Sequence, residues 1–170
     1  LRLFRHGRGH CENRWMDEHI TVMGEVADLA GEIVDDNRNN LTWWTAKHNS
    51  YASREVIDLL NLETPFFAQE TVARLRGGGE AGAKRWVKEK LYARLPGGGR
   101  AFAYFLYRYL LRFGFLNGAE GLAFHFLQGF WYRFLVDAKL LEVRRHMART
   151  GADAAGAVRE VLGIELSPER

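Results

Sequence analysis

The sequence predicts a predominantly helical chain: a short strand-bearing front over residues 1–40, then amphipathic helices as far as a small charged tail. Three observations predict this. Apolar residues over 41–60 recur at steps of three and four. Two aromatic-rich runs, 101–116 and about 122–143, do the same on either side of Asn117-Gly118, a turn dipeptide. The front carries only short β-like runs broken by glycines. With 170 residues the chain has room for one domain or part of a larger one, and 47% hydrophobic residues are enough to build a core.

Residues 1–6 read as a short strand that Gly7-Arg8-Gly9 breaks. Leu1 falls in what reads as mid-strand, so the chain is expected to be a fragment or a processed piece. No apolar stretch of signal-peptide type stands near the start. Cys11 is the only cysteine, which excludes an intrachain disulfide and points to a reducing compartment. Residues 20–34 alternate loosely, as one or two strands with turns at Gly24 and Gly31. Asp35 to Asn40 is a polar break suited to start a helix. The next helix carries Leu41, Trp44, His48, Tyr51, Ala52, Val56, Leu59 and Leu60 on one face. Trp43, Lys47, Ser50, Arg54 and Asp58 lie on the other, and Asn61 and Pro65 mark its end. Phe66-Phe67 and a weak helical run follow, closed by Gly77-Gly78-Gly79. A second helix, dense in Lys and Arg, is expected over 80–95 and stops at Pro96-Gly97-Gly98-Gly99.

In the aromatic block, Phe102, Phe105, Leu106, Tyr109, Phe113 and Leu116 form one stripe, and Arg100, Tyr104, Arg108 and Arg112 another. In the following helix His125, Gln128 and Tyr132 share a face. Neither run is a clean membrane span, which needs about 20 mostly apolar residues. Arg108 and Arg112 interrupt the first; His125, Gln128, Arg133 and Asp137 interrupt the second. A helical hairpin lying in the membrane interface fits both the arginines and the aromatics. The contact set is Trp43, Arg100, Phe102, Phe105, Arg108, Tyr109, Arg112, Phe113 and Trp131. A buried helical pair in a soluble protein is the competing reading. The division that results is 1–40 front, 41–79 amphipathic helix and linker, 80–145 basic aromatic region and 146–170 tail, with a short helix near 153–162.

Charge is uneven along the chain. Residues 1–40 hold eight acidic and five basic side chains; residues 80–112 hold eight basic ones against Glu80 and Glu89. Such a stretch suits anionic lipid or nucleic acid. The continuous apolar stripe beside it favours lipid, so no nucleic acid is expected. The chemistry is sought in Asp17-Glu18. They follow the bulky Trp15-Met16 pair and precede the β-like run from Ile20. A carboxylate with a like-charged neighbour and partial burial is what a general base requires. The ordinary alternative is a pair of solvated charges at a strand end. His6, His10, Cys11, Asp17 and His19 match no zinc spacing, and no metal site is assigned.

Three stretches, Glu12 to Ile20, Trp43 to Glu55 and Gly129 to Lys139, together resemble the C-terminal half of bacterial family 2 glycosyltransferases. The likeness is to the non-processive enzymes of capsule, exopolysaccharide and lipopolysaccharide assembly, and covers about residues 1–143 in order. The resemblance implies the C-terminal strands of an A-type glycosyltransferase sheet followed by a mostly helical membrane-associating region. It implies an inverting transfer from a nucleotide-sugar donor to a lipid-linked or polysaccharide acceptor. The catalytic base would come from Asp17 and Glu18, whose order is reversed relative to the family's Glu-Asp pair, leaving both as candidates. Arg14, Trp15, His19, Lys47 and His48 would bind substrate, the last two where the long helix meets the sheet. The family's Asp-x-Asp motif is absent here, so the donor-binding half and most ligands of a divalent cation (Mg or Mn) would lie outside this chain, which alone would be inactive. Gly82 stands where processive synthases carry the Gln of Gln-x-x-Arg-Trp, so Arg85-Trp86 does not read as a synthase motif. The implied location is the cytoplasmic face of the bacterial inner membrane, peripheral or monotopic. A non-catalytic membrane-anchoring helical module is the alternative from another class.

Overall fold

The computed structural model describes residues 3–11, 15–16, 20–27, 30–31, 33–34, 36–67 and 98–166. Those residues are predominantly helical. The strands among them are β1 (Gly9–Cys11) and β2 (Ile20–Val22), an antiparallel pair with His10 opposite Thr21. Helix α1 (Leu41–Glu63) starts where Asn40 accepts a hydrogen bond from the Trp43 amide at 2.9 Å. That cap satisfies an amide with no partner inside the helix. α1 ends at Thr64, ahead of Pro65.

Helix α2 (Gly99–Leu106) widens into a π-helical stretch, Tyr107–Leu111, in which the Arg112 amide reaches the Tyr107 carbonyl five residues back. A 3₁₀ turn (Gly114–Asn117) leads into α3 (Gly118–Phe124). A second π-helical stretch, His125–Trp131, runs on without a break into α4 (Tyr132–Thr150). Asp153 caps α5 (Ala154–Leu162), which ends at Gly163 in the left-handed conformation.

The core is a three-helix contact. Ala52, Val56, Ile57 and Leu60 of α1 meet Val136, Leu140 and Val143 of α4, and Ala157 and Val158 of α5 close it. Each large aliphatic side chain buried here contributes about 1.5–3 kcal/mol. Lys139 ties α4 to α1 by donating to the Asn49 carbonyl at 3.1 Å and to the Ser53 hydroxyl at 2.7 Å. Burial lowers its pKa from the ordinary lysine value, against an opposing pull from Glu142.

From Gly98 to α4 the chain forms a long hairpin standing off this core. Its open end is closed by one buried ion pair. Asp137 takes Arg100 on both oxygens, Nε at 2.9 Å, and also accepts the Gly98 amide at 3.2 Å. Asp137 is 5% exposed and Arg100 20%. At the far end the close approach of two segments excludes side chains. A Cβ on Gly121 would lie 2.5 Å from the Gly114 carbonyl oxygen, and one on Gly114 2.3 Å from the His125 ring. Phe113, just before Gly114, is the one described non-glycine residue with positive φ.

Several sequence expectations are corrected. Residues 3–5 are not strand, and the first strand is Gly9–Cys11, where the glycines were expected to break one. After Val22 the described residues as far as Val34 are not strand either. Their side chains are exposed, so no partner face calls for pairing. Asp58 was placed on the solvated face of α1 but is buried, and Leu41 was placed on the packed face but is exposed. The aromatic run is no single regular stripe, because the π-helical turns shift its phase. In the stretch expected as a tail with a short helix, Ala157 and Val158 belong to the core. The expected helix over 80–95 and the Gly77–Gly79 break lie outside the described residues.

His125 yields a pH prediction. Its Nδ1 is buried and unpartnered. Burial, and then the nearby Arg108 charge, hold its pKa below the ordinary histidine value. The unfolded chain therefore binds more protons over that interval. Stability from this group is full above about pH 6.5 and falls as the pH drops through that value towards the folded pKa. Thermal midpoints from pH 8 to pH 5 should decline less steeply in His125→Gln than in the wild type. Parallel profiles would show that His125 does not carry the slope.

Candidate functional site

The site is assembled on α1. His48, Tyr51 and Glu55 fall at steps of three and four, so they share one helix face. Gln128, Tyr132 and Arg133 come from the π-helical stretch and the first turn of α4 opposite. With Met16 they line a cleft of about 310 Å³. A larger groove of about 520 Å³ between α4 and α5 is lined by Arg145, His146 and Arg149. It draws on two elements only, and the His146 ring already faces Glu160 at 2.8 Å.

The walls of the cleft are ordered by ring packing. The His48 ring stacks on Trp44 at 3.5 Å and meets Tyr51 and Tyr132 edge-on at 5.7 and 5.5 Å. His48 Nδ1 donates to the Trp44 carbonyl at 2.9 Å. The Tyr132 hydroxyl donates to Glu55 Oε2 at 2.7 Å. The Arg133 guanidinium lies over the Tyr104 ring at 4.2 Å, with its Nε buried and unpartnered. Rings, one carboxylate, one amide and one guanidinium thus converge on one small space.

Asp58 fixes the near edge. Its carboxylate, 5% exposed, accepts the backbone amides of Trp15 at 3.2 Å and Met16 at 3.1 Å. Trp15 packs against the core cluster. The front of the chain is thereby pinned to the C-terminal half of α1, some 42 residues later.

The structure brings only part of the expected site together. His48 lines the cleft, but with α4 rather than a sheet. Lys47 is exposed, its Nζ 4.7 Å from the Trp43 ring and 5.4 Å from Tyr51. Trp15 stands beside the cleft. Arg14, Asp17, Glu18 and His19 lie outside the described residues. Glu55, Gln128 and Arg133 were not singled out as site residues. The 48–51–55 spacing and the shared face of 128 and 132 were the signals that mark them.

The hairpin beside the cleft exposes its far end. Leu111 is 71% exposed, Phe113 62% and Leu116 73%. Phe102 and Arg112 are exposed too, whereas Phe105 and Tyr109 stack on each other and are half-buried. Trp131 turns inward, 6.2 Å from Trp44. Arg108 lies over the rings of Tyr104 and Phe124. The Arg100 guanidinium is held by Asp137 and is 20% exposed. Between residues 98 and 131 the charged side chains are Arg100, Arg108, Arg112 and Glu120.

Among the described residues no helix is long and apolar enough to cross a membrane, and no three His, Cys, Asp or Glu side chains gather to hold a metal ion. No family model, no curated protein and no solved structure matches the chain.

Asp58→Ala should release the front edge of the cleft. It leaves two partly buried amides without an acceptor, at about 1–3 kcal/mol. The expected result is a lower thermal midpoint, with faster amide hydrogen exchange at Trp15 and Met16 and the helical circular dichroism kept. Exchange at those two amides equal to wild type would rule out the carboxylate as the anchor.

Proposed function

We propose that this chain is the acceptor-side part of an inverting glycosyltransferase that works at a membrane surface. It would move a sugar from a nucleotide-sugar donor to a hydroxyl of a lipid-linked saccharide in surface polysaccharide assembly. The observation that carries this reading is that the polar cleft and the exposed aromatic hairpin are built on the same continuous helix. Gln128, Tyr132 and Arg133 line the cleft, while Phe126 and Phe134 on the same run are exposed. A hairpin seated in a lipid surface holds such a cleft next to headgroups. Chain-end saccharides carried on lipid are then presented at high local concentration.

The apolar tip supplies attraction that salt does not screen, and Arg108 and Arg112 add about 1 kcal/mol each near an anionic surface. The location that follows is the cytoplasmic face of a bacterial inner membrane, held peripherally. The chemistry rests on Asp17 and Glu18, which follow Met16 of the cleft edge in sequence. As the acceptor oxygen bonds to the anomeric carbon, one carboxylate takes its proton, contributing roughly 10²–10⁴-fold. The bond to the leaving diphosphate breaks on the opposite face, hence inversion. A divalent cation would absorb the charge of that diphosphate, held mostly by residues outside this chain. The exposed hairpin alone also suits a non-catalytic anchoring module, but that reading leaves the cleft without a role.

Two measurements test the reading separately. In an enzyme containing the donor-binding half, Asp17→Asn or Glu18→Gln should lower turnover at least about a hundredfold with donor binding little changed. Near-native turnover in both single variants would remove the base from this pair. For the membrane, the 170-residue chain should sediment with anionic vesicles. The triple change Leu111→Glu, Phe113→Glu, Leu116→Glu should leave it in the supernatant with helix content intact. Wild type that stays in the supernatant ends the membrane part of the proposal and makes the tip a protein–protein surface.

A further inference from the structure

We infer that the cleft between α1 and α4 is a binding subsite for one uncharged pyranose ring, with Glu55 and Gln128 as the groups that select its hydroxyls. This deepens the proposed function and rests on it for biological meaning, but its physical basis is separate. The basis is the number of polar groups that face the cleft and make no hydrogen bond among the described residues. Glu55 gives one carboxylate oxygen to Tyr132, and its Oε1 takes no bond. Gln128 lines the cleft and makes no hydrogen bond among the described residues, although its amide can both donate and accept. His48 Nε2 makes no hydrogen bond among the described residues, while Nδ1 is committed to the Trp44 carbonyl. Arg133 also lines the cleft, with its guanidinium over the Tyr104 ring.

Polar groups left unpaired in a confined space favour a ligand that satisfies several at once. A pyranose does this with adjacent hydroxyls, each both donor and acceptor. It also offers a face of C–H bonds, which complements the negative face of an aromatic ring. The cleft supplies both surfaces, with Tyr51, Tyr132 and His48 as rings. Size limits the ligand further. At about 310 Å³ the cleft is at the lower end of the roughly 300–1,000 Å³ range of ligand clefts. It suits one ring rather than an oligosaccharide or a nucleotide. Charge narrows it again: with one carboxylate and one guanidinium the lining carries no excess of either sign, so nothing in it favours a phosphate or a uronate over a neutral ring.

Tyr132 is a positioning residue. Its hydroxyl holds the Glu55 carboxylate in one orientation, with Oε1 left for the ligand. Tyr132→Phe should therefore weaken selection among hydroxyl epimers more than it weakens binding itself.

The test uses the 170-residue chain and a panel of methyl glycopyranosides (gluco, galacto, manno and glucuronide) followed by saturation-transfer NMR and titration of backbone amide shifts. At least one neutral glycoside should bind in the millimolar range and shift amides of residues 48–55 and 128–133. Glu55→Gln and Gln128→Leu should each weaken it about fivefold or more, while Arg145→Ala in the other groove leaves it unchanged. Amide spectra of each variant verify the fold. The inference is overturned if no neutral glycoside binds, if both cleft variants bind as wild type does, or if the glucuronide binds best. Glycoside binding that persists when the complete enzyme transfers no sugar supports the subsite and sinks the transferase reading. Transfer without glycoside binding does the opposite.

Discussion

The Arg100–Asp137 pair is the constraint on which the hairpin depends. It joins the first turn of α2 to the first turns of α4, 37 residues later, and so shuts the base of a long excursion. Two charges in a nearly dry site interact strongly, but their desolvation consumes most of the gain. The pair therefore serves more to fix position than to add net stability. Losing one partner leaves an uncompensated buried charge, typically worth 3–5 kcal/mol of destabilisation. Because Asp137 also accepts the Gly98 amide, the start of α2 has one register against α4. The rings of the hairpin can then interleave: Phe102 with Phe130, and Phe105 with Phe126.

A second buried carboxylate does the same work for the cleft. Asp58 gathers the Trp15 and Met16 amides, as Asp137 gathers Arg100 and Gly98. In each case an acidic side chain on a helix captures a distant segment by accepting its backbone amides. The cleft lies between these two anchors, with one wall on α1 and the other on α4. Its geometry follows from the α1–α4–α5 core, which sets the spacing of the walls, and from the stack of His48 on Trp44, which sets the ring orientation. The apolar tip takes no part in that core, so it is free to be chosen for what it touches outside the chain.

Much of this was legible in the sequence because it is local. Asn40 before a periodic run, Pro65 after it, and Asp153 with Gly163 around 154–162 are signals written within a few residues. The helical character of the aromatic block was legible for the same reason. The burial of Asp58 was not, because on a helix a carboxylate opposite the apolar stripe looks solvated, and its partners lie 42 and 43 residues away. Arg100 read as a lipid contact because its stripe continues through Arg108 and Arg112; only the fold brings Asp137 to it. Cleft residues were partly visible as the His48–Tyr51 and Gln128–Tyr132 pairs. Their meeting depends on how α1 and α4 cross, which no single-helix periodicity encodes.

The two π-helical stretches carry a consequence for how the hairpin tolerates change in length. Each accommodates one residue more than an α-helical path of the same height. Deleting one residue within Tyr107–Leu111 would remove that extra residue and restore a regular helix, with the residues beyond it left on their present faces. Inserting or deleting a residue where the helix is regular would instead turn everything beyond it by about 100°. The two stretches are therefore the places where this hairpin can lose a residue and still display Phe113 and Leu116 outward.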